Sequence, residues 1–347
     1  FAPILGPMPA APPDLPGASA NDSPIDRGLA LLLTGELEAA LRWSAAAVQQ
    51  EMAPASALIL TARLLFMLNR TEAAVAGFEL GVKRAVDAGN LPLAVAAVGD
   101  LRQLGVDTER HLEFIASSFC LGSPRLTEVE TTPPPLPSTE TFQPLSQYLS
   151  GPALLSRATE IIHEAQAEFD WSAKGEISLM APVPLFSFLD KESLKDLISC
   201  FAMTTVPAGA AVIREGDAGE EAYIVARGEL EVQRAPREAM GEGDEEPKPL
   251  RLARLNNGAL FGEMALLSRA PRAASVIASR PSILLVATRE DIEAVAAQRP
   301  EVAAELAAHC RRRMVANLVR TSSILRAVRG GERKELVERF ETRVYSK

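Results

Sequence analysis

Apolar residues recur at helical spacing along residues 25–121, and no part of this stretch alternates as a strand does. The stretch is rich in Ala and Leu, so the pattern predicts a run of helices. A second helical stripe covers residues 152–171, with its apolar positions on one face. That face consists of Leu154, Leu155, Ala158, Ile161, Ile162, Ala165 and Phe169. We expect this helix either to cover the domain that follows or to pair with a second copy of the chain.

A four-residue motif occurs twice within the first helical stretch. Glu38-Ala39-Ala40-Leu41 returns as Glu72-Ala73-Ala74-Val75, at an offset of 34 residues, and each copy follows a short polar break. That period is typical of helix–turn–helix repeats, and the stretch resembles tetratricopeptide repeats. The resemblance implies a surface on which a protein partner docks. The alternative is a plain helical bundle in which the similarity of the two copies is chance.

Beyond residue 201 the apolar period changes from helical to two. Residues 184–201 still carry a helical stripe, with Asp190 at a helix start. Short apolar runs then alternate with turns that contain Gly216 and Gly228. Many short strands separated by such turns predict a barrel or jelly roll. The predicted strands are 211–213, 223–225, 230–232, 250–255, 273–278 and 283–287.

Helical periodicity returns over residues 288–327, where Thr288 is a suitable N-cap for the first helix. A stripe on the second helix consists of Val302, Leu306, His309 or Cys310, Met314, Leu318 and Ile324. Residues 324–347 then align without a gap, apolar on apolar, with residues 185–208. We expect the parent protein to continue into a second domain of the same kind. The alternative is an amphipathic helix that matches by chance.

Three segments show neither the helical period nor the period of two. Residues 1–24 form a Pro-rich arm and residues 122–151 a Pro/Ser/Thr-rich linker, while residues 234–249 read as an acidic, solvated loop. The predicted organisation therefore has six parts. They are the arm 1–24, a helical domain 25–121, the linker 122–151, a connecting helix 152–183, a strand-rich domain 184–325, and residues 326–347 as the start of a truncated second domain.

Composition excludes several classes of function. The chain has 347 residues, of which 47% are hydrophobic and 23% charged, as in ordinary globular proteins. The net charge of −9 argues against nucleic acid as the default partner. No apolar run reaches the length of about 18 residues that a bilayer requires, so we expect no membrane partner. Three widely spaced cysteines favour reduced thiols and a cytoplasmic setting, without a metal site. The chain begins with Phe1, which indicates an excised or processed segment.

The candidate chemistry lies in residues 261–276, FGEMALLSRAPRAASV. Gly262 lets the backbone approach a ligand closely. Backbone N–H groups that open a short helix attract an anion. Arg272 offers a planar, permanently charged fork for a phosphate. Glu263 is suited to accept a hydrogen bond from a sugar hydroxyl, so the combination predicts a nucleotide site. The alternative is a surface Glu–Arg pair of little energetic value.

This run also resembles the phosphate-binding cassette of the cyclic nucleotide-binding domain family, as found in catabolite activators and regulatory subunits of protein kinase A. The family pattern F-G-E-x-A-L, a spacer and P-R-A-A-[ST]-V is met here without a gap. The resemblance implies that Glu263 binds the ribose 2′-hydroxyl and that Arg272 binds the exocyclic phosphate oxygens. Further predicted contacts are the amides of Gly262, Ala265 and Ala273, together with Phe261, Met264, Ala274, Leu318 and Thr321.

The same resemblance bears on the base. A threonine directly after the arginine favours guanine in the family, and Ala273 stands at that position here. The implied ligand is therefore cyclic AMP, with cyclic GMP less favoured. In the family the last helix covers the base and moves on binding. Two alternatives remain for the contact with the base. Either Leu318 or Ile324 covers it as an apolar lid, or Thr321-Ser322 makes a polar contact with adenine.

The sequence thus predicts an α+β chain. An N-terminal helical-repeat domain precedes a cyclic nucleotide-binding β-roll flanked by helices. The expected function is ligand sensing without catalysis, with a protein partner on the helical domain and homodimer formation left open. Two alternatives are a transcription regulator of the catabolite-activator kind and an assembly protein whose β-roll holds no ligand.

Overall fold

A computed structural model of the protein describes residues 23–50, 53–127, 143–168, 179–180, 182–235, 249–264 and 271–321, with the backbone alone for residues 315–321. Residues 1–22 of the predicted arm, the Pro-rich part of the linker, most of the acidic loop and the C-terminal repeat lie outside these residues. The last two residues of the predicted arm, Ser23 and Pro24, instead cap and begin the first helix. The first domain consists of six helices. They are α1 (Pro24–Leu33), α2 (Leu37–Val48), α3 (Ala55–Met67), α4 (Thr71–Asp87), α5 (Leu91–Gln103) and α6 (Glu109–Phe119).

Consecutive helices of this domain pack against one another, and local signals set their ends. The Ser23 hydroxyl accepts a hydrogen bond from the Asp26 amide and caps α1, and the Asn90 side chain caps α5 in the same way. Glycines with positive φ end α1 and α4, at Gly35 and Gly89. The two repeated motifs begin at the second residue of α2 and of α4. Whether the helices belong to the tetratricopeptide class stays a prediction.

The connecting helix, α7 (Gly151–Glu168), packs on the first domain rather than on the domain that follows. It lies against α2, α3 and α4 and differs in this from both of our expectations. Five of its seven predicted apolar positions are buried there: Leu154, Ala158, Ile161, Ile162 and Ala165. The segment before it is tied to α2, because Arg42 Nε donates to the Leu149 carbonyl at 2.9 Å and Glu38 Oε1 accepts from the Gly151 amide at 3.1 Å.

The strand-rich domain is a β-roll of two four-stranded antiparallel sheets, ordered β1-β8-β3-β6 and β2-β7-β4-β5. Its strands are β1 (Ala202–Val206), β2 (Ala211–Ile213), β3 (Glu221–Arg227), β4 (Leu230–Arg234), β5 (Leu250–Leu255), β6 (Leu260–Phe261), β7 (Ser275–Ala278) and β8 (Ser282–Thr288). Buried residues from both sheets, such as Leu284 of β8 and Leu230 of β4, form the core of the roll. The predicted β-roll is therefore observed, although β7 begins two residues later than expected.

Helices flank the roll on both sides of the sequence. The predicted helix over 184–201 is broken into a short 3-10 helix, Phe186–Phe188, and α8 (Lys191–Ser199). Asp190 causes the break, because its carboxylate accepts from the amides of Glu192 and Ser193 and starts a new helix. After the roll come α9 (Arg289–Gln298), which Thr288 caps as predicted, and α10 (Pro300–Thr321).

The helical domain and the roll share one hydrophobic core. Helix α5 packs on strands β1, β3 and β8, and α6 packs on α8. Polar contacts reinforce this interface: Asn90 Nδ2 donates to the Ala226 carbonyl at 3.2 Å. The buried Asp26 carboxylate lies 2.6 Å from Arg227 Nη1 and 3.4 Å from Arg280 Nη1. A single sheet face thus connects the two domains that the sequence presents separately.

We predict that Asp26→Ala destabilises the whole chain. Removing one partner of a buried ion pair leaves Arg227 desolvated without its carboxylate, which costs about 3 kcal/mol. The free energy of unfolding in urea, followed by circular dichroism, measures the change. Glu293→Ala, on the exposed face of α9, is the control and should change the free energy by less than about 0.5 kcal/mol. Equal stability of the two variants would contradict the role of this pair.

Candidate functional site

The site begins where β6 ends. Phe261 is buried and stacks on Tyr223, with ring centroids 5.2 Å apart. The next residue, Gly262, has a φ of 76°, which favours glycine. A Cβ at this position would also come within 2.9 Å of Arg272 Nη1 and 3.0 Å of the Glu221 carbonyl. Gly262 therefore allows the chain to turn directly beside the arginine. The close approach of its backbone to a ligand stays a prediction.

Arg272 is buried, with 8% of its surface exposed, and backbone groups hold it on several sides. Its Nη1 donates to the Gly262 carbonyl and its Nη2 to the Glu221 carbonyl, both at 2.9 Å. Its own amide donates to the Asp217 carbonyl at 2.8 Å, and its carbonyl accepts from Gly216 at 2.9 Å. A guanidinium carries five N–H donors, so two are used in orientation and three are left for an anion.

Glu263 is also buried, and its carboxylate lies against the last helix. Arg313 Nη1, on α10, is 3.1 Å from Glu263 Oε1 and also donates to the Leu260 carbonyl. Burial raises the pKa of the Glu263 carboxyl above its ordinary value, while Arg313, then a backbone hydrogen bond and then Arg272 oppose the shift. The carboxylate is therefore held by a cation from outside the cassette.

The other predicted site residues differ in placement. Met264 and Ala273 are exposed, and Ala274 is half-buried. Ala265 lies outside the described residues. Leu318 and Thr321 belong to the part of α10 whose backbone alone is described, so their contacts with the base stay predictions. Among the residues described, the structure thus brings together Phe261, Gly262, Glu263 and Arg272.

The model of the family described as "Cyclic nucleotide-binding domain" matches residues 203–299. This segment is a cyclic nucleotide-binding domain. It contains all of β2 to β8, the Glu263–Arg272 site and helix α9. The resemblance that the cassette carried is therefore confirmed for this part of the chain.

The chain is similar to parts of three proteins of different kinds. The chain is 38% identical over 131 residues to the cyclic AMP receptor protein of Thermus thermophilus, which is 38% of this chain and 57% of that protein. It is 34% identical over 125 residues to a cyclic nucleotide-gated potassium channel of Mesorhizobium japonicum, 36% of this chain and 31% of the channel. It is 30% identical over 171 residues to the cAMP-dependent protein kinase regulatory subunit of Colletotrichum orbiculare, 47% of this chain and 40% of the subunit. The chain thus spans less than two thirds of each relative.

Arg313 was missed by the sequence analysis. It lies beyond the matched cyclic nucleotide-binding domain, in a basic run that reads as a solvated helix face. A signal was nevertheless present, because Val302, Leu306, His309 and Arg313 follow one another at spacings of four, three and four. The first three are buried, and Arg313 continues their stripe to Glu263. Nearby on α10, burial raises the pKa of the Cys310 thiol to about 12.

No group of His, Cys, Asp or Glu side chains within the described ranges is arranged to hold a metal ion. In the same ranges, no helix has the length and apolarity that crossing a bilayer requires.

Proposed function

We propose that this protein is a cyclic nucleotide sensor whose ligand binds at Glu263 and Arg272. The observation that carries the proposal is a buried arginine, Arg272, whose guanidinium bonds to the Gly262 carbonyl directly before a buried carboxylate, Glu263, inside a cyclic nucleotide-binding domain. A cyclic phosphate is a permanent anion, and a ribose offers a hydroxyl donor. The two groups therefore match the charge and hydrogen-bonding capacity of the two side chains.

The ligand proposed is cyclic AMP, and the phosphate faces Arg272. The two carbonyl bonds hold the guanidinium in place, so a phosphate meets a fork that needs little rearrangement. The ribose 2′-hydroxyl faces Glu263, next to Arg313. Because Arg313 belongs to α10, a ligand that changes its bond to Glu263 also changes what holds this helix on the roll. A ligand shifts such an equilibrium only as far as it prefers one arrangement of α10.

Thermal unfolding in the presence of ligands tests the proposal. A ligand that binds the folded state alone raises the stability by about 2.7 kcal/mol at a hundredfold excess over its Kd. We expect cyclic AMP to raise the Tm in a concentration-dependent way. Linear 5′-AMP, which has the same base and sugar but a different phosphate geometry, should raise it much less. Equal shifts with both compounds, or none with either, would reject the site.

The proposed base preference has its own test. We predict that cyclic AMP competes better than cyclic GMP for a fluorescent cyclic nucleotide, because Ala273 offers no hydroxyl to a guanine amino group. Ala273→Thr should narrow the difference in affinity. Ala274→Thr, one residue further along, serves as the control, and we expect it to leave the preference between the two bases in place. Cyclic GMP that competes as well as cyclic AMP with the unmodified chain would overturn the preference.

The output of the sensor is also a proposal. We propose that the helical domain presents a surface to a protein partner, as helical repeats commonly do. The α5 side of this domain is covered by the roll, and α7 covers parts of α2, α3 and α4. A cleft of about 450 Å³ lies between α4, α6 and α7, with Val82 and Phe114 in its lining and Arg110 at its edge. The partner would therefore meet this side of the domain rather than either covered face.

A further inference from the structure

Gly219 lies in the loop between β2 and β3, directly against the guanidinium of Arg272. A Cβ built on Gly219 would be 2.1 Å from Arg272 Nε and 2.3 Å from both Cζ and Nη2. These separations are far shorter than any van der Waals contact. The φ of Gly219 is outside the left-handed region that favours glycine. The backbone conformation therefore does not require glycine here. Glycine is required because the guanidinium occupies the space in which a Cβ would lie.

The backbone on either side of Gly219 is held in place. On the N-terminal side, the amide of Gly216 and the carbonyl of Asp217 bond to the backbone of Arg272. On the C-terminal side, the carbonyl of Glu220 accepts from the amide of Arg289, at the start of α9, at 2.6 Å. The loop can retreat little, so a side chain at position 219 displaces the flexible end of Arg272 instead.

We propose that Gly219 is a positioning residue for Arg272, and that its lack of a side chain sets where the guanidinium meets the phosphate. This inference rests on the proposed function of the site. A bidentate contact tolerates errors of only about 0.5 Å and 10–20°. A Cβ at position 219 pushes the guanidinium off the carbonyls of Gly262 and Glu221, and the phosphate then loses the fork that those bonds orient.

A double-mutant cycle tests the proposal on the full chain. The variants are Gly219→Ala, Arg272→Lys and the two together, and the control is Gly99→Ala in α5, where a Cβ meets nothing within 4 Å. The Kd for cyclic AMP is measured by calorimetry and the Tm by circular dichroism. We expect Gly219→Ala to weaken binding at least about tenfold, the loss of a charge-assisted contact, with little change in Tm. Gly99→Ala should leave the Kd unchanged.

The cycle separates positioning from a structural role. If Gly219 acts through Arg272, adding Gly219→Ala to Arg272→Lys weakens binding little further, because the lysine has no guanidinium to displace. An unchanged Kd for Gly219→Ala would overturn the inference. So would the same loss in both backgrounds, or a marked fall in Tm, since each shows that the methyl group acts on something other than Arg272. If the unmodified chain binds no cyclic AMP, the proposed function itself fails.

Discussion

Arg272→Lys is expected to weaken cyclic AMP binding about tenfold to a hundredfold. Replacing the guanidinium removes a charge-assisted pair of hydrogen bonds, which costs about 1.5–3 kcal/mol, even though the positive charge remains. An ammonium group also cannot bond to the Gly262 and Glu221 carbonyls while presenting a flat fork to a phosphate. Fluorescence competition with a labelled cyclic nucleotide measures the loss.

The matched control for this variant is Arg254→Lys on β5. Arg254 belongs to the same roll, but its side chain is 55% exposed and pairs with Glu229 and Glu231 at 3.7 Å. We expect no change in affinity there, because surface pairs of this kind contribute little. If both substitutions weaken binding equally, Arg272 has no special role in the site.

Arg313→Ala is expected to make binding fail at a higher pH than in the unmodified chain. Burial raises the pKa of Glu263, and Arg313 is the nearest cation that holds it down. Removing Arg313 therefore raises the pKa of Glu263 further. The ionised carboxylate is the stronger acceptor for a ribose hydroxyl, so affinity falls as the pH drops through the pKa of Glu263. The pH range in which affinity is lost therefore lies above the ordinary pKa of a glutamate carboxyl. In Arg313→Ala this range moves to higher pH.

Affinity for cyclic AMP across a pH series, in both proteins, measures this shift. Arg312→Ala is the neighbouring control, because Arg312 lies over the Phe188 ring and pairs with Glu305 rather than with Glu263. Its profile should follow that of the unmodified chain. Profiles of Arg313→Ala and the unmodified chain that run parallel at every pH would show that Arg313 does not act through the Glu263 carboxyl.

Much of the roll could be predicted because its signals are local. Gly216 and Gly228, both with positive φ, mark turns that a sequence shows directly, and Thr288 caps its helix through neighbours only three residues away. The Gly262 and Arg272 side of the site is equally local. The residues that shape it lie within one short run, apart from the contacts with the β2–β3 loop and with Glu221 and Tyr223 of β3.

What covers an apolar face could not be predicted. The stripe on α7 was visible, but an apolar stripe does not show which surface it packs on. Helices α2 to α4 end at or before Asp87, and α7 begins only at Gly151. The role of Arg313 could not be predicted for the same reason. It reaches Glu263 across 50 positions of the chain, and only the packing of α10 on the roll brings the two together. The covered faces also restrict the surface of the helical domain on which the proposed partner could dock. The repeat pattern alone did not indicate that surface.

Calorimetric titration of cyclic AMP into the full chain and into a Glu263→Ala, Arg272→Ala double variant tests most directly whether the ligand binds at these two residues. We predict saturable binding with one ligand per chain for the unmodified protein. The folded double variant should give no measurable heat of binding in the same range of concentration. An unmodified, folded chain that takes up no cyclic AMP, or a double variant that binds as tightly as the unmodified chain, would contradict the account.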